Sequence, residues 1–151
     1  DMGCEPGSHT WDHTYITKLS QEGLFANLNR LDDTLQSIAG VRTVTMRPPG
    51  GFVSDGAKQN LAKKGVPAVL WSIDTLDWKT KNAQNTINVV LSSVKDGDII
   101  LMHDLYDTSA DAAVVLIPEL KKRGYQLVTV SEMASLRGGM TPGQVYHSFR
   151  P

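Results

Sequence analysis

His9 and His13 stand four residues apart in the stretch HTWDH, and two imidazoles at that spacing suit a divalent metal such as zinc. On a helical turn both rings would fall on one face. Two ligands do not close a metal site, so a third has to come from elsewhere in the fold. Three further stretches carry chemistry. MRPPGG, residues 46–51, sets Arg47 before two prolines and two glycines. It reads either as an ordinary turn or as a rigid loop whose arginine orients a carboxylate and whose backbone N–H groups meet an oxyanion. DTLDW, residues 74–78, is either a capping segment with a core tryptophan, or Asp77 orienting a histidine while Trp78 walls a pocket. LMHD, residues 101–104, offers His103 either as a structural histidine or as an acid–base group.

Such residues act together only if the intervening chain gathers them. Ser20 can cap a helix carrying Leu24, Leu28, Leu31, Leu35 and Ile38, with Gly40 at its left-handed stop. Residues 43–46 predict a short strand, 55–64 a helix stopped by Gly65, and 66–73 a buried strand. Residues 83–95 predict a helix with Ile87, Val90, Leu91 and Val94 on one face, followed by strand 98–102, helix 109–123 with a kink or break at Pro118, and strand 125–130. The tail 137–151, with three glycines and two prolines, predicts irregular surface chain. Strand and helix in alternation define an α/β domain with a parallel sheet, open or closed into a barrel. Arg47, Asp74, Asp77 and His103 then all follow carboxyl ends of strands, the face on which α/β proteins build their sites.

Composition narrows the partners. Fifteen basic and 16 acidic residues leave a formal charge of −1, without a basic run to follow a phosphate backbone or an anionic membrane. No apolar stretch has the length of a bilayer span, and no charged-then-apolar signal segment opens the chain, which reads as a soluble piece. Cys4 is the only cysteine, so neither an internal disulfide nor a cysteine zinc cluster is available.

The ordered set H-T-x-x-H, R-P-P-x-G, D-x-x-D-W and L-x-H resembles motifs two to five of the polysaccharide deacetylases, carbohydrate esterase family four, from about Gly3 to Met133. The resemblance implies a distorted (β/α) barrel that removes acetyl groups from polysaccharides with a divalent metal, zinc first, cobalt or nickel as alternatives. By position, His9 and His13 would be metal ligands and Arg47 would orient the catalytic base. Pro49 and Gly50 would line the substrate site, with the Gly50 N–H stabilising the oxyanion. Asp77 would tune His103, the general acid, and Trp78 and Leu101 would wall the acetyl pocket.

The family's first motif, a strand ending in two aspartates and a glycine, supplies the general base and third metal ligand and has no match here. The pair Asp32-Asp33 sits inside a predicted helix. Because Asp1-Met2-Gly3 reads as the middle of a domain, residues 1–136 are expected to be the larger, C-terminal part of a catalytic domain whose N-terminal strands lie outside this chain, on a complementing segment. The resemblance is strongest to bacterial peptidoglycan N-acetylglucosamine deacetylases. This implies N-deacetylation of that polymer in the cell wall, and hence an extracellular or cell-surface location. Chitooligosaccharide deacetylase and acetylxylan esterase are the alternatives within the family. A catalytically inactive carbohydrate-binding relative and a plain α/β domain are the alternatives outside that chemistry. In those relatives the residue after the two prolines is often aromatic; Gly50 stands there here, which implies a more open pocket wall.

Overall fold

The computed structural model describes residues 3–151, and Asp1 and Met2, at the start of the mid-domain reading, lie outside the described residues. The chain divides into two compact units, one holding the chain up to Leu70 with Ala134–Tyr146, the other Trp71–Met133 with His147–Pro151.

In the first unit, helix α1, Gln21–Ala39, starts where the Ser20 hydroxyl accepts the Gly23 N–H and ends at Gly40 with φ 69°. Its stripe is buried only at Leu24 and Leu28; Ile38 is exposed. Helix α2, Asp55–Lys64, has matching punctuation: Ser54 caps the Ala57 N–H, two lysines occupy the last turn, and Gly65 stops it at φ 81°. Strand β1, Ala68–Val69, pairs in parallel with β4, Val145–Tyr146. On its other side, single-residue parallel bridges join Ala68 to Met46 and Met46 to Ser8. The core between helices and strands holds Ile16, Leu24, Leu28, Met46, Ala57, Leu61 and Ala68.

The predicted strand 43–46 therefore contracts to Met46. Asp32 explains this, because its carboxylate accepts both the backbone N–H and the hydroxyl of Thr43, at 2.9 and 2.7 Å, and takes that residue out of a ladder. Asp33 meanwhile pairs with Arg42 at 2.9 Å, so the two aspartates serve α1 structurally. The predicted strand 66–73 splits into β1 and β2, Ile73–Asp74. The chain changes ladder partner between them. Val69 donates to Met46 and Leu70 to Tyr146, whereas Ser72 and Ile73 both donate to the Ile99 carbonyl.

In the second unit β2 pairs in parallel with β3, Ile100–Leu101. Helix α3, Asp77–Thr80, follows β2 after Leu76 in the left-handed region. Helix α4, Ala83–Ser93, is capped by the Asn82 side chain and packs on α5, Asp107–Lys122. Ile87 and Val90 of α4 meet Ala112, Leu116 and Leu120 of α5, a four-residue spacing that aligns one helical face. Pro118 does not break α5, which continues to Lys122. The carbonyl its ring deprives of a partner is that of Val114, on the exposed side of the helix, where water can serve it.

Residues 125–129 form no strand, and Val130 begins helix α6, Val130–Ser135. Their apolar alternation finds no ladder among the described residues, and Leu127 and Val128 stay exposed. The tail 137–151 is more than irregular surface chain. It supplies β4, Gly143 sits so close to α2 that a Cβ would come within 2.6 Å of the Ala62 Cβ, and Phe149 is buried. Arg150 donates at 2.7 Å to the Asp98 carboxylate, whose side chain is 1% exposed. No helix among the described residues is long and apolar enough to cross a membrane.

Candidate active site

The residues singled out from sequence fall into two sets, one in each unit. In the first, HTWDH is not helical: Thr10 and His13 take φ of 60° and 61°, and residues 11 and 12 form a bend. The rings nevertheless meet, centroids 4.9 Å apart with planes at 75°. A β-branched residue in the left-handed region costs about 1–3 kcal/mol and persists only where its surroundings hold it. Here three anchors do so. Ser8 is tied on both sides, its N–H to the Thr45 carbonyl at 2.8 Å and its carbonyl to the Arg47 N–H at 2.7 Å. The Asn27 side chain on α1 accepts the Trp11 N–H at 2.6 Å and donates to the Asp12 carboxylate at 3.1 Å. The Arg30 guanidinium lies over the Trp11 ring, 4.1 Å from its centroid. Hydrogen bonds from Thr14 and Asn27 hold the exposed Asp12 carboxyl below its usual range.

His9 Nδ1 meets the Arg47 carbonyl at 2.5 Å, the outer contact that fixes the tautomer and ring orientation of a metal-binding histidine. Nε2 is then the nitrogen that faces metal chemistry. Two imidazoles bound to one ion at about 2.0–2.1 Å have centroids roughly 5 Å apart, so the observed pair fits as two ligands of one site. No group of three His, Cys, Asp or Glu occurs among the described residues, so the third ligand is not found in this set. The hydroxyls of Ser8 and Thr10, flanking His9 in sequence, are buried without a hydrogen-bond partner among the described residues. Pro48 and Pro49 are buried, and Gly50 is exposed with φ 65°.

The open wall implied by Gly50 does not materialise. A Cβ built at Gly50 would lie 2.8 Å from two ring carbons of Phe52, whose side chain already fills that space. The Phe52 ring packs against Tyr15, centroids 5.2 Å apart, and Tyr15 meets His13 at 6.4 Å.

In the second unit Asp77 and His103 form the pair expected of them. Asp77 Oδ1 takes the His103 Nδ1–H at 2.8 Å, and Oδ2 accepts the His103 backbone N–H at 2.6 Å and the Ser109 hydroxyl at 2.7 Å. Burial pushes the Asp77 carboxyl up, but the bonds from Ser109, from the His103 ring and from the backbone of His103 and Trp78 outweigh it, holding the carboxyl below its usual range and ionised. An anion 1% exposed beside Nδ1 requires a proton there, which leaves Nε2, on a ring 27% exposed, to exchange protons with a substrate. Thr75 supports the arrangement, donating to the Leu101 carbonyl at 2.7 Å and so tying the start of α3 to β3. Trp78 is half exposed, whereas Leu101 is buried. Asp74 stands apart: its carboxylate caps the Leu76 N–H at 3.0 Å.

Ser109 and Asn27 escape sequence reading, lying 32 residues from Asp77 and about 15 from the loop they hold, without a fixed motif spacing. Phe52 is equally silent, since nothing in RPPGGF states which way the ring turns.

Together the two sets define an α/β protein with an imidazole pair suited to a metal and a carboxylate-held histidine suited to proton transfer. The family model described as polysaccharide deacetylase matches residues 1–69. The chain is 37% identical over 135 residues to the peptidoglycan-N-acetylmuramic acid deacetylase PdaC of Bacillus subtilis, spanning 89% of this chain and 28% of that protein. It is 37% identical over 133 residues to the peptidoglycan-N-acetylglucosamine deacetylase PgdA of Listeria monocytogenes, spanning 88% of this chain and 28% of that one. A solved structure described as T48 deacetylase with substrate superposes with a TM-score of 0.86 at 38% identity, covering 94% of this chain and 69% of that one. The chain belongs to the polysaccharide deacetylase family and has its α/β fold. It spans little more than a quarter of the length of the two curated relatives.

Proposed function

We propose that this chain carries the larger part of a metal-dependent deacetylase acting on an acetylated polysaccharide, with N-acetylglucosamine of peptidoglycan as the substrate. The observation that carries the reading is the buried, ionised Asp77 holding His103 by ring and backbone at once. The anion fixes the Nδ1–H tautomer and leaves Nε2 facing outward, the arrangement a general acid needs. Bound at His9 and His13, a divalent metal, zinc in this reading, would polarise the acetyl carbonyl and acidify water. The Gly50 N–H meets the developing oxyanion, and the Arg47 guanidinium orients a carboxylate base. His103 donates its Nε2 proton to the departing amine, while Asp77 keeps the imidazolium oriented and neutralised. Trp78 and Leu101 exclude water around the acetyl methyl. No third ligand stands beside the imidazole pair among the described residues. Because peptidoglycan lies outside the membrane, the reading places the protein at the cell surface or beyond.

The test is acetate release from peptidoglycan, chitooligosaccharide and acetylxylan, measured beside bound zinc in a polypeptide that includes the base. His103→Ala should lower turnover by about two to four powers of ten with zinc retained, since acid catalysis and not a ligand is lost. His13→Ala should lose zinc and activity together. Zinc bound without acetate release from any of the three would replace this reading with a glycan-binding relative.

A further inference from the structure

Phe52 is held in an unusual way for an exposed ring. Gly50 at φ 65° leaves a cradle that Phe52 fills, and any side chain at position 50 would collide with it at 2.8 Å. Tyr15 supports a second side, centroids 5.2 Å apart and planes at 52°. The Tyr15 ring is itself engaged by Lys18, whose Nζ lies 5.2 Å from its centroid, and by His13 at 6.4 Å. Phe52 is nonetheless 55% exposed. A ring left that far in water forgoes burial of about 25 cal/mol per Å² of apolar area. This one is seated over Gly50, whose φ of 65° also favours glycine, one aromatic neighbour away from His13.

We propose that Phe52, seated on Gly50 and Tyr15, is a stacking platform for a pyranose ring of the acetylated β-1,4-linked glycan, and so a determinant of substrate preference. The proposal rests on the deacetylase reading above. A pyranose presents a face of polarised C–H groups, which matches the negative face of an aromatic ring, and its hydroxyl rim stays solvated around a half-exposed residue. The position beside His13 puts that sugar next to the imidazole pair that would receive its acetyl group.

Binding of chitotetraose to the zinc-loaded protein, by calorimetry and by shifts of the Phe52 ring protons, tests the proposal without needing turnover. Phe52→Ala should weaken binding by about three- to tenfold, the scale of one aromatic stacking contact, with zinc content and melting temperature unchanged because the residue is largely exposed. Phe52→Trp should restore it. Equal affinity in the wild type and Phe52→Ala would overturn the platform and leave the deacetylase reading standing. No chitotetraose binding by the zinc-loaded wild type would overturn the platform, whereas the deacetylase reading falls separately, on acetate release.

Discussion

Asp77→Asn is the substitution whose consequences follow most directly from the geometry. The amide is isosteric, so its oxygen can take the place of Oδ2 and still accept the His103 N–H and the Ser109 hydroxyl, now at 2.6 and 2.7 Å. Its NH2 then faces His103 Nδ1, where Oδ1 stands at 2.8 Å, and donates instead of accepting. Nδ1 must lose its proton, and the imidazolium that protonates a leaving group loses its counter-ion. A charge-assisted bond of this kind contributes about 1.5–3 kcal/mol, which at about 1.4 kcal/mol per tenfold predicts a loss of roughly one to two powers of ten in kcat from this bond alone. The assay is acetate release at saturating glycan, with bound zinc and melting temperature as controls, and long-range 15N–1H spectra reading the His103 tautomer. Zinc and fold should be unaffected; Asp77→Ala, which strands the hydroxyl and the N–H, should lower stability as well. Wild-type kcat in Asp77→Asn with the ring tautomer switched would refute the assignment of His103 as general acid. The pH dependence has a definite sign. The folded-state carboxyl is held below its usual value, so Asp77 stabilises the fold above the ordinary carboxylate range, and this stabilisation is lost as pH falls through the lowered value. Acid unfolding of Asp77→Asn should therefore lack that component.

Two further outcomes are expected. Asn27→Ala removes both hydrogen bonds that tie the HTWDH loop to α1; zinc affinity, measured by chelator competition, should fall about 10-fold or more while the helix content stays constant. Asp98→Ala leaves the Ser72 hydroxyl and the Lys95 N–H without their acceptor, while Arg150, 46% exposed, can turn to water; thermal unfolding should show a loss of about 1–3 kcal/mol. Burial raises the Asp98 carboxyl but its partners hold it low, so the difference between Asp98→Ala and wild type should shrink as pH falls below the carboxylate range.

Much of this was legible in the sequence because it is local chemistry. The Ser20 cap and the stops Gly40 and Gly65 bounded two helices within a few residues, since a cap needs only its own next turn. The Asp77–His103 pair, the two imidazoles and the RPPGG loop stood out because their motifs state residue types at fixed spacing. What the sequence could not state is set by contacts far apart along the chain. Whether residues 43–46 or 125–130 are strands depends on a neighbour to complete a ladder, and Asp32 and the lack of a pairing partner decided otherwise. That HTWDH brings its rings together through left-handed Thr10 and His13, and not through a helical turn, depends on Asn27 and the Arg47 carbonyl. Whether Gly50 opens a wall or seats Phe52 depends on where one ring turns. Backbone propensity acts within a turn of helix, whereas ladder pairing, ring placement and the orientation of a buried carboxylate are decided by the groups that surround them, and only the folded chain assembles those.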